Sequence, residues 1–115
     1  MAELFEKLDY SVDSLLVIGE FLVDNYSIES LTSDVHKWDA FASYAGVVYE
    51  KQVPTAKWRV ELDDEKNIYY GVPSLRTKGN TNFYPKYEIT AMLDRKRKDF
   101  LQAITQRHIE LQSPV

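Results

Sequence analysis

Cysteine is missing from this 115-residue sequence, which excludes a disulfide scaffold and any thiolate metal site. Histidine occurs only as His36 and His108, so His-centred catalysis has few players. There is no His-x-x-x-His pair and no His-Glu step to hold a metal. His36 falls in the first turn of a helical stretch and reads as solvated or capping; His108 continues an apolar face near the chain end. Long apolar runs are also lacking: the longest, Leu15 to Ile18, is far short of a membrane span. Met1 to Glu6 place acids where a signal peptide needs a basic flank. Asn25-Tyr26-Ser27 matches a glycosylation sequon, which without a secretory signal reads as coincidence. A cytoplasmic location is the expectation.

Signatures of chemistry are equally scarce. Ser11, Ser14, Ser43 and Ser74 stand in no Gly-x-Ser-x-Gly elbow, and serines at helix starts are normally caps. Lys78-Gly79-Asn80 lacks the spacing of a phosphate loop. Asp63, Asp64 and Glu65 cluster without the ligand spacing or central glycine of a calcium loop and read as a solvated turn. No cofactor and no metal are expected.

What is present is ordinary globular composition, 44% apolar and 28% charged, in a chain of single-domain size, 1–115. The net charge of −4 hides an asymmetry. Residues 1–50 carry ten acids and two bases, and residues 76–115 carry eight bases and four acids. Such a split speaks to association, either within the fold or between copies in a homodimer.

Residues 2–10 fit a short strand or a helical turn. Ser11 has the character of an N-cap, since Val12, Leu15, Leu16, Gly19, Leu22, Val23 and Tyr26 recur at helical spacing and predict a helix ending near Tyr26. A polar connection from Ser27 to Ser33 leads to a second helix capped by Ser33. Its face holds Val35, Trp38, Ala42, Ala45 and Tyr49, and Gly46 marks a close approach by another element. Pro54 ends it.

The period then changes to that of a strand. Lys57 to Leu62 alternate, with Trp58, Val60 and Leu62 directed to the core and Lys57, Arg59 and Glu61 to water. A turn over Asp63–Asn67 and a return strand over Ile68–Val72 complete a hairpin, Leu75–Thr77 offer a third strand, and 78–82 form a loop. Pro85 opens a C-terminal helix. Arg95-Lys96-Arg97-Lys98 interrupt its apolar face, and Asp99 with Gln102 resembles a capping box, so a break near residues 94–99 is predicted. Two N-terminal helices, a small antiparallel sheet and a broken C-terminal helix define an α+β fold.

Tyr44-Ala45-Gly46-Val47-Val48, Lys57-Trp58 and Tyr84-Pro85 resemble elements of small uncharacterised bacterial domains. In those, a Tyr-x-Gly-x-Val helix precedes a tryptophan-bearing strand, and a Tyr-Pro step opens the last helix. The resemblance spans residues 11 to about 105, with Val47 where members often carry an acid. It implies the α+β fold and a bacterial origin, and it brings no activity.

Eight tyrosines are present, and several fall in the hairpin and the loop after it. Adjacent Tyr69 and Tyr70 point to opposite faces of a strand, which leaves one of them outside. Tyrosine and arginine anchor protein interfaces well, being large and polar at the tip. Tyr69, Tyr70, Arg76, Lys78, Asn80, Phe83 and Tyr84 are therefore the candidate surface of a non-enzymatic module that binds another protein, of accessory or immunity type. A small-molecule pocket between sheet and helices, with weak enzymatic activity, is the alternative. The pI near 5.1 and the lack of an RNA-binding motif argue against nucleic acid.

Overall fold

A computed structural model of the chain describes residues 6–68, 70–78 and 81–112. They form five α-helices and a three-stranded antiparallel sheet, an α+β fold. The question of strand or helical turn over residues 2–10 falls partly outside them; residues 7–10 run as turns and bends. Tyr10, at φ 63°, donates its N–H to Tyr44 Oη at 2.9 Å.

Helix α1 (Val12–Asn25) begins where the spacing predicts, with Ser11 Oγ accepting the Ser14 N–H at 3.2 Å. It buries Leu15, Ile18, Gly19 and Leu22. The next stretch departs from the expected polar connection. Ser27 and Ser30 exchange hydrogen bonds in a capping box that starts a short helix α2 (Ile28–Thr32), and Leu31 is its buried anchor. Ser33 closes α2 instead of opening the next helix; Asp34 caps α3 (Val35–Gln52) by accepting the Lys37 N–H at 3.2 Å. An aspartate is as good a cap as a serine, and two candidates one residue apart could not be ranked by periodicity. Helix α3 buries Ala42, Ala45, Gly46, Val48 and Tyr49.

Strand β1 (Lys57–Val60) pairs with β2 (Pro73–Arg76), which pairs with β3 (Asn82–Phe83), in the order β1-β2-β3. The return strand is therefore not Ile68–Val72. Of the described residues of that run only Tyr70 bridges, to Glu61 in parallel sense, because Gly71 in the left-handed region (φ 72°) bends the chain out of strand geometry. Pairing resumes at Pro73, the first strand position, where a residue without an N–H is tolerated. The stretch expected as a third strand is thus the central one, and β3 emerges from the expected loop. Leu75 and Phe83 are fully buried beneath the helices. Trp58, Val60 and Leu62, expected in the core, are 40, 42 and 66% exposed, because they lie on or just beyond the edge strand.

Helix α4 (Pro85–Arg95) has proline in its first turn, and α5 (Phe100–Gln112) follows a break at the predicted place. Lys96 takes the left-handed conformation, φ 52°, and the Arg97 N–H returns to the Met92 carbonyl at 3.2 Å. The expected Asp99–Gln102 capping box does not form: Asp99 accepts from Arg97 at 2.8 Å, and the Gln102 amide reaches Asp13 on α1 at 2.9 Å. The break lies against α1. A Cβ on Gly19 would stand 1.9 Å from the Lys98 carbonyl oxygen, so only glycine lets the two backbones meet. No helix of the described residues is long and apolar enough to cross a membrane.

Candidate binding face of the sheet

The three fragments that carry the resemblance meet at one point. A Cβ on Gly46 would lie 2.2 Å from Trp58 Cη2 and 3.2 Å from Pro85 Cγ, so the helix glycine is the floor on which the strand tryptophan and the helix-opening proline rest. Tyr44 secures the same helix by donating to Ser14 Oγ at 2.8 Å. The space left at this junction, lined by Asp39, Ala42, Ser43, Trp58, Pro73 and Pro85 among others, is 30 Å³. That is room for about one or two waters. It is too small for a ligand larger than water.

The register sends Trp58, Leu75 and Phe83 to the helix side and Lys57, Arg59, Ser74, Arg76 and Asn82 to the other. Lys57 stands directly opposite Arg76. Like charges facing each other across an antiparallel pair weaken a sheet by a few tenths of a kcal/mol or more, so the fold carries this arrangement at a cost. Two hollows run over the cationic side. One, of 540 Å³, is lined by Thr55, Lys57, Trp58, Arg59, Arg76, Thr77 and Lys78. The other, of 130 Å³, is lined by Arg59, Glu61, Asn67, Val72, Ser74, Arg76, Asn82 and Tyr84. Arg59 and Arg76 line both. The larger hollow is shaped by the Lys78 N–H donating to Thr55 Oγ1 at 2.9 Å, which ties its two rims together. Glu61 is the acid on this side, 3.9 Å from Arg59, with its other carboxylate oxygen taking the Asp63 and Asp64 N–H groups.

Of the candidate residues, Arg76, Lys78 and Tyr84 come together along these hollows. Tyr70 stands in the β1–β2 connection, 40% exposed. Tyr69 and Asn80 lie outside the described residues. Phe83 is a correction: it is fully buried, stacked on Tyr49 with ring centroids 4.4 Å apart and planes 11° from parallel. It belongs to the core, because alternation in β3 turns it inward when Asn82 faces out. Lys57, Arg59 and Trp58 were missed. Their alternation placed two bases on one face, but bases on a strand's wet face signal solvation until a neighbouring strand doubles them.

Behind Phe83 lies a polar cluster that the spacing of single residues does not foretell. Tyr49 Oη is hydrogen-bonded to His108 Nδ1, whose ring meets the tyrosine edge-on at 5.4 Å. Burial, then the charge of Glu88, push the Tyr49 hydroxyl well above its ordinary range, so it keeps its proton and donates. Burial and then Arg107 hold His108 below its ordinary value, which suits it as a neutral acceptor. Burial raises Glu88, against the Tyr84 N–H bond and Arg95, which lower it. The three are packed side chains of α3, α4 and α5 and secure the core behind the sheet.

Compared with known proteins, the chain matches no family model, no curated protein and no solved structure.

Proposed function

We propose that this chain is a non-enzymatic binding module, of accessory or immunity type and acting in the cytoplasm, that docks an acidic segment of another protein on the cationic face of its sheet. The observation that carries this reading is the gathering of Lys57, Arg59, Arg76 and Lys78 around one hollow in a chain whose net charge is −4. Guanidinium groups grip carboxylates with paired N–H bonds in a fixed plane. Tyr84 in the adjoining hollow supplies the aromatic contact that turns electrostatic attraction into a specific anchor. The narrow junction beneath Trp58 favours this over a buried small-molecule site.

The test is affinity capture of cytoplasmic proteins on the tagged chain, run beside the double variant Arg76→Glu/Lys78→Glu. Both positions are exposed, so the variant keeps its fold, checked by circular dichroism. An acidic protein held by the wild type in fixed ratio, and bound roughly tenfold or more weakly by the variant, supports the proposal. A partner retained equally by both, or none held by the wild type, overturns it.

A further inference from the structure

Strand β1 is an edge of the sheet, and its row of backbone groups is a template for another strand. Two observations give the direction in which the groups point. The Gly71 N–H donates to the Glu61 carbonyl at 2.9 Å, so Glu61 turns its backbone towards β2. Pro73, which has no N–H to offer, stands opposite Val60. Backbone direction alternates along a strand, so the N–H and C=O of Val60 face off the open edge, and those of Trp58 with them.

The side chains around Val60 have a symmetry of their own. In Lys57-Trp58-Arg59-Val60-Glu61-Leu62-Asp63 the charge changes sign at Val60 while the apolar positions repeat on either side. Turned end for end about Val60, the segment meets its own copy with Val60 opposite Val60, Arg59 opposite Glu61 and Trp58 opposite Leu62, the chain bending away at Asp63. Cross-strand pairs of opposite charge and of apolar groups stabilise a ladder by about 0.2–1 kcal/mol each, and like charges destabilise it. The neighbouring registers fail this test. Centring on Arg59 or on Glu61 sets that residue against itself, centring on Trp58 sets Lys57 against Arg59, and centring on Leu62 sets Glu61 against Asp63. The apolar groups that the fold leaves uncovered on this edge, Trp58, Val60 and Leu62 at 40, 42 and 66% exposure, are those the pairing would cover.

We propose that β1 pairs antiparallel with β1 of a second copy of this chain about a two-fold axis at Val60, giving one six-stranded sheet. That axis stands perpendicular to the sheet, so both cationic faces lie on the same side and form one continuous surface. The pairing shares Lys57 and Arg59 with the cationic hollow, while Arg76 and Lys78 lie outside the new ladder, so its test is run without the acidic partner. Oε2 of Glu61, 3.9 Å from Arg59 within one copy, is the oxygen that Arg59 of the second copy takes in exchange.

Sedimentation velocity from about 1 μM to about 500 μM, on the isolated chain without any partner, measures the association. The wild type is expected to pass from monomer to dimer within that range. Arg59→Glu alone sets acid against acid, and Glu61→Lys alone sets base against base. Each is expected to raise the dissociation constant by roughly tenfold or more, and an equimolar mixture of the two is expected to recover a heterodimer. Protection of the Val60 amide from hydrogen exchange, rising with concentration in the wild type, is a second reading that no substitution disturbs. A wild type that stays monomeric, single variants that dimerise like the wild type, or a Val60 amide that exchanges equally fast at both ends of the range would each overturn the pairing.

Discussion

Gly19 shows how a single residue sets the join between distant parts of the chain. On an α-helix, alanine is favoured over glycine by about 1 kcal/mol, so Gly19→Ala would stabilise an isolated α1. In the fold, its methyl would lie 1.9 Å from the Lys98 carbonyl oxygen, a backbone atom that cannot swing aside. Gly19→Ala is therefore expected to destabilise the protein by about 1–3 kcal/mol, the range of overpacked core sites, read as a lower urea midpoint at unchanged slope. Gly46 differs in what its Cβ would meet. There it is the far end of the Trp58 ring, at 2.2 Å, which can tilt outward. The sequence marks both positions as glycines on a helix's buried face, and so marks a close approach. It does not reveal whether backbone or side chain comes close, because that depends on elements about 80 and about 12 residues further along the chain.

At the scale of elements, what was legible follows from how local each signal is. The start of α1, the end of α3 at Pro54 and the break between α4 and α5 are written in neighbouring residues, and the structure has them where the pattern predicts. The sheet was less legible. Ile68–Val72 has strand composition, yet one glycine in the left-handed region removes it, and pairing resumes at Pro73. Of the proposed surface, Arg76, Lys78 and Tyr84 were named from composition alone; placing Lys57 and Arg59 beside them needed the register, and turning Phe83 inward needed knowledge of which way β3 faces. The break itself supplies a prediction. Lys96 holds φ 52°, a conformation that costs an L-residue about 1 kcal/mol and glycine little. Lys96→Gly is therefore expected to stabilise the protein by about 0.5–1 kcal/mol, seen as a higher thermal midpoint. An alanine there recovers none of this.

For the whole molecule, the polar cluster behind the sheet sets how stability responds to acid. His108 is held below its unfolded value of 6.5, first by burial and then by Arg107. As the pH falls below that value the unfolded chain takes up a proton that the native state resists, and stability is lost. Glu88 is held above its unfolded value of 4.5, mainly by burial. Its contribution is fully present below 4.5 and is lost as the pH rises through the native value. The Glu88 slope sets in as the pH rises above 4.5 and the His108 slope as it falls below 6.5, and the two have opposite sign. Glu88→Gln removes one of them while its amide oxygen can still take the Tyr84 N–H, which Glu88 now accepts at 3.3 Å. The variant is expected to match the wild type near pH 4, to exceed it at pH 7, and to show a steeper rise between, measured by thermal melts across that range. A curve parallel to that of the wild type would show that Glu88 ionises as freely in the native state as in the unfolded chain.

The contact between Gly19 and the Lys98 carbonyl, with Gln102 reaching back to Asp13, has a further consequence for a growing chain. Helix α1 leaves the ribosome with Leu15, Ile18 and Leu22 already on one face, but α5, part of what covers that face, begins about 75 residues later. At a synthesis rate of about 5–20 residues per second, several seconds separate the emergence of α1 from that of α5. Through that interval the nascent chain carries an uncovered apolar helix, which makes α1 a natural client for a chaperone holding it until α5 arrives.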